Sequence, residues 1–295
     1  MLEDVKRHRI ALGDPAVEIS LLDWGGDGPI ALLHHANGFC AATWAPVAEG
    51  LRSRFHVVAM DARGHGDSSR PEGAEAYTWP HFGSDVAAVA RWLVAETDRA
   101  IALGMGHSFG GTALMLAAAS QPQLFERLVL VEPVLPPPLA VEASVDPKRA
   151  ERGGDLIEGA RRRRQVFPDR EAVRARWSTK DLFRNWDARV FELYLAEGLR
   201  DRPDGQVELK CSSEVEAAIF SHGRGFDCWE VASRVSTPAL LLWATRGDFP
   251  RAAFEEVAKR MADARIHDTQ TGHLIPMEQP DLVVGEALAF SAGTD

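Results

Sequence analysis

The tightest constraint on this chain is the stretch Ile101-Ala-Leu-Gly-Met-Gly-His-Ser-Phe-Gly-Gly-Thr112. Its apolar start, Ile101 to Met105, reads as a buried strand, and the Ala- and Leu-rich run Gly110 to Ser120 reads as a helix. Only Gly106-His107-Ser108-Phe109-Gly110 separates the two. A chain that passes from strand to helix so quickly forces its central residue into a strained conformation. It also leaves no room for a Cβ two residues to either side, where glycine stands in both positions. The turn therefore holds the Ser108 hydroxyl out at a helix N-terminus, with the Phe109 amide directed at whatever that hydroxyl attacks. G-x-S-x-G alone is a common pattern; the strand before it and the helix after it give it a mechanism.

The rest of the chain supplies a setting for such a turn. Strands are expected at Arg9 to Leu12 and Val17 to Trp24, joined as a hairpin across the turn signal Gly13-Asp14-Pro15. Further strands are expected at Ile30 to His34, His56 to Met60, Leu128 to Val131, Pro238 to Trp243 and Arg265 to His267. Helical spacing appears around Trp44 to Leu51, Phe82 to Thr97, Phe254 to Met261 and Leu282 to Phe290. This alternation predicts an α/β fold: a mostly parallel sheet of about eight strands with helices on both faces. The regularity breaks at Glu132-Pro-Val-Leu-Pro-Pro-Pro138, which can continue neither strand nor helix. From there to about residue 233 the sequence is polar, Arg-rich and helical in pattern, without a convincing strand. The expected division is a core of residues 1–133 and 234–295, with an inserted helical lid at 134–233.

Composition excludes several classes of function. The 295 residues are 45% hydrophobic and can bury a sizeable core. A net charge of −10 provides no basic excess for binding nucleic acid. Three scattered cysteines, Cys40, Cys211 and Cys228, make neither a disulfide framework nor a zinc site. The first residues have no apolar signal region and no run of about 18 apolar residues occurs, so a soluble cytoplasmic protein without a membrane partner is expected.

A serine hydroxyl needs a base, usually histidine, oriented by a carboxylate. In a parallel sheet such groups collect at the carboxyl ends of strands, which here offer Asp61, Glu132, Asp248 and His273. His273 follows the last strand beside Gly272 and is the expected base. Asp248, in the loop Gly247-Asp-Phe-Pro250, is preferred as the acid, with Glu132 at the end of the sixth strand as the alternative. His34, His35 and His65 fall in other loops, and the sharp turn directs His107 away from its neighbour Ser108.

Five segments then coincide in order: Asn37-Gly-Phe39, Asp61-x-Arg-Gly-His-Gly-x-Ser68, Gly106-His-Ser-Phe-Gly-Gly111, Gly247-Asp248 and Gly272-His-Leu-Ile-Pro-Met-Glu-Gln-Pro280. Through them the chain resembles, over nearly all its length, an α/β-hydrolase-fold protein with a helical cap. The resemblance implies Ser108 as nucleophile, His273 as general base and then acid, and Asp248 as the residue orienting His273. It also implies an oxyanion hole made by the backbone N–H groups of Phe39 and Phe109. Many relatives carry His-Gly-x-Pro where this chain has Asn37-Gly-Phe-Cys40; Cys40 is read as a small buried filler. Serine at the turn, where dehalogenase- and epoxide-hydrolase-like relatives have Asp, suits attack on an acyl carbon with no metal or cofactor.

The leading expectation is a serine hydrolase for a small-molecule carboxylic ester, lactone or thioester, monomeric or homodimeric. Alternatives are a C–C bond hydrolase of β-diketone-like or vinylogous acids, a perhydrolase, and a triad-bearing ligand receptor. Trp44, Trp177 and Trp186 are candidate pocket residues. The run Arg161 to Arg164 is read first as a solvated helix face, and as a carboxylate site under the C–C hydrolase alternative.

Overall fold

The computed structural model describes residues 2–13, 17–223 and 226–293, apart from the Arg149 side chain. The chain runs through β1 (Lys6–Ala11), β2 (Glu18–Gly25), β3 (Ile30–His34), β4 (His56–Met60), β5 (Ile101–His107) and β6 (Arg127–Val131). Three short strands follow, β7 (Val166–Phe167), β8 (Leu199–Asp201) and β9 (Val207–Leu209), before β10 (Ala239–Ala244) and β11 (Ala264–Thr269). The main sheet has eight strands in the order β1-β2-β4-β3-β5-β6-β10-β11. β2 is antiparallel to both neighbours, and the strands from β4 across to β11 are parallel. The expected opening hairpin is present as β1 and β2; Asp14 and Pro15 of its expected turn lie outside the described residues.

The central strands are apolar at nearly every position because both faces of the sheet are covered. Alternate residues of β3 show this: Ile30 and Leu32 join a core with Phe82, Val86 and Leu114, while Ala31 and Leu33 join one with Trp44, Val47 and Val283. The first face is covered by α2 (Trp79–Thr97) and α3 (Phe109–Ser120), the second by α1 (Ala45–Leu51) and the C-terminal helix Pro280–Ala292. Among the described residues, no helix is long and apolar enough to cross a membrane.

Between β6 and β10 the chain leaves the sheet. This insertion carries α4 (Glu142–Val145), α5 (Arg149–Arg161), α6 (Arg170–Trp177), α7 (Ala188–Glu197), α8 (Ser213–His222) and α9 (Cys228–Ala232). It also contains what the sequence pattern did not lead us to expect: a three-stranded antiparallel sheet in the order β7-β9-β8. Strands of two or three residues are too short to display an alternating pattern, so periodicity cannot find them. The chain then continues through β10, α10 (Arg251–Ala258), β11, α11 (Ile275–Glu278) and α12 (Pro280–Ala292).

Candidate active site

Ser108 sits at the junction of β5 and α3 with φ +54° and ψ −121°, a strained conformation for a residue with a Cβ. Its N–H donates to Val131 O at 2.8 Å, and its carbonyl accepts from the Gly111 N–H at 3.0 Å. A Cβ on Gly106 would lie 2.5 Å from Gly110 O, and one on Gly110 would lie 2.4 Å from His35 O. The first turn of α3 therefore lies directly against the loop that leaves β3, an approach only glycine permits.

The structure places Glu132, not Asp248, against His273. The Ser108 hydroxyl donates to His273 Nε2 at 3.0 Å, and His273 Nδ1–H donates to Glu132 Oε2 at 3.0 Å. A carboxylate only accepts, so this contact assigns the proton to Nδ1 and leaves the Nε2 lone pair facing the hydroxyl. The other Glu132 oxygen accepts the Ala244 N–H at 2.7 Å, and the side chain has no solvent exposure. Glu132 reaches this position through φ +45°, a bend at the end of β6 that turns its side chain along the sheet edge toward β10. Gly247 leaves room for it, since a Cβ there would meet Oε2 at 3.2 Å. Asp248 lines the same cavity but is exposed, and among the described residues its carboxylate has no hydrogen-bond partner. Phe249 faces the histidine instead, its ring edge-on to that of His273 with centroids 4.9 Å apart.

His107 does turn away from Ser108, and it has a use. Its Nε2–H donates to the His273 carbonyl at 2.9 Å, holding the loop that carries the His273 ring. Burial, then the nearby His273, lowers its pKa from 6.5 to about 3, so it stays neutral. From the other side, the Gly272 N–H donates to Glu278 Oε2 at 2.9 Å.

The expected amide pair needs one correction. The Phe39 N–H is turned back into its own loop, donating to Ala36 O at 3.2 Å, and the Gly38 N–H donates to His65 Nε2 at 3.0 Å. The amides of Ala36, Asn37 and Phe109 have no acceptor among the described residues, and all three residues line the cavity above Ser108. The Asp61–Ser68 motif acts as a scaffold for this loop. Asp61 accepts the Ala41 N–H at 2.7 Å and the Asp67 N–H at 3.0 Å, while Arg63 pairs with Asp85 at 2.6 Å. Burial raises the Asp61 carboxyl from 3.8 to about 6 and lowers the His65 imidazole to about 3. Cys40 is a buried free thiol whose pKa burial pushes up, in keeping with a filler.

The cavity over Ser108 measures about 870 Å³. Trp177 lines it as expected, but Trp44 and Trp186 do not. Trp44 closes a 3₁₀ turn just before α1, which points its indole into the core under the sheet. Trp186 packs behind the wall, its ring 5.4 Å from that of Phe39. Trp79, which the sequence reading did not single out, lines the cavity and is fixed by an Nε1–H bond to Ile219 O at 3.0 Å.

A second group escaped the sequence reading. Arg163, from the basic run, donates to Glu216 Oε2 and to the Tyr194 hydroxyl, each at 2.6 Å. Tyr194 donates in turn to Gly38 O at 2.8 Å, and Asn37 Nδ2 donates to Glu216 O at 3.1 Å. Three segments of the insertion thus grip the two residues of the loop beside Ser108. Gly38, at φ +83°, has no space for a Cβ, which would lie 2.8 Å from Glu216 Oε1. Residues 31, 53 and 156 positions apart leave no local signal of such a cluster; the sequence offers Arg163 only as part of a basic run and Tyr194 only as one of several aromatics in the insertion.

Comparison with known proteins bears on the fold and the family. Residues 31–287 match the model of the alpha/beta hydrolase family. The chain is 34% identical over 107 residues to 2-(acetamidomethylene)succinate hydrolase of Mesorhizobium japonicum, covering 36% of each chain. It is 34% identical over 134 residues to a bifunctional esterase/perhydrolase of Acinetobacter calcoaceticus, covering 44% of this chain and 46% of that one. These matches span under half the length of either relative. Among solved structures, E-2-(acetamidomethylene)succinate hydrolase superposes with TM-score 0.79 over 98% of this chain and 99% of that one, at 22% identity. The thioesterase domain of the curacin biosynthetic pathway gives 0.76 over 97% and 100%, at 19% identity. At such identities the structural likeness is one of fold.

Proposed function

Given that this chain belongs to the alpha/beta hydrolase family, we propose that it is a cofactor-independent serine hydrolase acting on a carboxylic ester, lactone or thioester. The observation that carries this reading is the unbroken chain of hydrogen bonds from Ser108 through His273 to Glu132 at the base of a cavity. In the proposed mechanism Nε2 of His273 takes the hydroxyl proton as Ser108 Oγ bonds to the acyl carbon. Glu132 holds the Nδ1 proton in place and offsets the charge of the imidazolium. The N–H of Phe109, with that of Asn37 in place of Phe39, receives the negative oxygen; such a donor lowers the barrier by roughly 2.7–4 kcal/mol. The imidazolium proton then passes to the leaving alcohol or thiol. Water, deprotonated by the same nitrogen, cleaves the acyl-enzyme and restores the serine. Nucleophile, base and donors are all groups of the chain, so the reaction requires no added cofactor.

The insertion would serve as a cap over this chemistry. The test is hydrolysis of short-chain p-nitrophenyl esters by wild type and Ser108→Ala, with thermal melting as the control for folding. Loss of turnover in a folded variant is expected, together with covalent capture of a fluorophosphonate by the wild type alone. An unchanged rate in Ser108→Ala would overturn the assignment.

A further inference from the structure

The cationic side chains of the cavity are not explained by the hydrolytic machinery. Within the insertion, arginines generally have a carboxylate: Arg163 has Glu216, Arg170 has Asp201, Arg174 has Glu192 and Arg200 has Glu208. Arg164, Arg176 and Lys180 differ. Among the described residues none of them has a carboxylate within ion-pair distance, and all three line the cavity that holds Ser108. They come from one continuous segment, the approach to β7 and the end of α6. Arg164 is also oriented. Its guanidinium lies over the Phe167 ring at 4.9 Å, and its Nε–H donates to Val166 O at 2.8 Å, which leaves the terminal fork free. A free guanidinium fork matches carboxylate and phosphate oxygens.

A solvated basic face would explain exposure alone, but not the company these residues keep. Leu139, Leu156 and Leu182 are three of the four large hydrophobic residues left exposed among the described residues, and all three line this cavity. Trp177, next to Arg176, stacks with both Phe183 and Tyr194 at ring separations of 5.0 and 4.9 Å. The unpaired carboxylates of the lining, Asp155 and Asp248, belong to α5 and to the loop after β10, so they are not built into the cationic segment. In a chain with a net charge of −10, the arrangement is a local basic, apolar wall.

We propose that Arg164, Arg176 and Lys180 form an anion subsite, and that the substrate is an acyl compound with an apolar body and a carboxylate or phosphate remote from the scissile carbonyl. This inference rests on the hydrolase reading above. The test compares the p-nitrophenyl esters of three eight-carbon acids: suberic acid with its free ω-carboxylate, suberic acid monomethyl ester, and 8-(phosphonooxy)octanoic acid with an ω-phosphate. In the Arg164→Gln/Arg176→Gln/Lys180→Gln variant, the ratio of kcat/KM for charged over neutral ester should fall about tenfold or more, chiefly through KM. The charged arm with the larger loss identifies the anion. A ratio unchanged in both arms would overturn the subsite while leaving the hydrolase intact. If wild type cleaves none of these esters, the hydrolase reading fails. The subsite is then read by tryptophan-fluorescence titration of suberate monomethyl ester against its dimethyl ester, where equal affinities would overturn it and a charge preference lost in the variant would uphold it.

Discussion

Replacing Glu132 by Gln tests the site at its most specific point. The carboxylate accepts two N–H groups, from Ala244 at 2.7 Å and from His273 Nδ1 at 3.0 Å. A glutamine has one acceptor to offer. With its oxygen toward Ala244, its NH₂ faces Nδ1, and the ring must carry its proton on Nε2, where it meets the Ser108 hydroxyl. The reverse placement sets two donors against each other at the Ala244 contact. The first arrangement dominates, and it removes the base without removing a single ring. A wrong-tautomer histidine in a serine enzyme costs about 10⁴ in rate, or about 5.4 kcal/mol of barrier. The assay is kcat/KM on p-nitrophenyl butyrate beside Asp248→Asn, with melting curves for both. Asp248 is exposed and, among the described residues, its carboxylate has no hydrogen-bond partner, so its variant should stay within about threefold of wild type, as for a surface change. Glu132→Gln retaining more than about a tenth of wild-type activity would refute the reasoning.

Other outcomes follow from the same geometry. Tyr194→Phe leaves Gly38 O and Arg163 each short of a partner. It should cost about 1–3 kcal/mol of stability and lower kcat more than it changes KM; a shift in KM alone would count against the grip on the loop. Gly110→Ala must displace backbone at His35 O and should fold poorly, at about 3 kcal/mol or more; a soluble variant with wild-type melting would contradict the close approach. Stability should fall on acidification. Burial lowers His34 to about 4, His65 and His107 to about 3, and His35 well below 6.5, so between those values and 6.5 the unfolded chain binds protons that the fold refuses. Asp61, raised to about 6, opposes them by one proton. A net three protons gives at most about 4 kcal/mol per pH unit, present in full above pH 6.5 and lost as pH falls toward 4. Equal urea midpoints at pH 7 and pH 5 would rule this out.

What could be read in the sequence was what is local. Ser108 and His273 sit in short segments whose glycines and strand-end positions announce them, and the sheet is visible in its uninterrupted apolar strands. Glu132 could be seen as a strand-end carboxylate, but its rank depends on a positive φ that no residue type signals. Gly247-Asp248 looks the better acid because a Gly-Asp pair reads as a loop built to present a side chain; here the glycine clears space for the carboxylate arriving from β6. Phe39 differs from expectation for a similar reason: a four-residue turn from Ala36 to Phe39 consumes its amide, and the sequence does not show which amide a tight loop spends on itself. The orientation of Trp44 depends on a single 3₁₀ turn. The contacts among Arg163, Tyr194 and Glu216 are tertiary, and no pattern along the chain encodes them.

The grip of the insertion on the Asn37–Gly38 loop has a mechanical consequence. A lid hinged to swing clear would have to break the Tyr194–Gly38 and Asn37–Glu216 bonds, or drag the Asn37–Gly38 loop with it. Roof and floor therefore travel as one piece. The exposed leucines of the lining, Leu139, Leu156 and Leu182, mark where the cavity meets solvent.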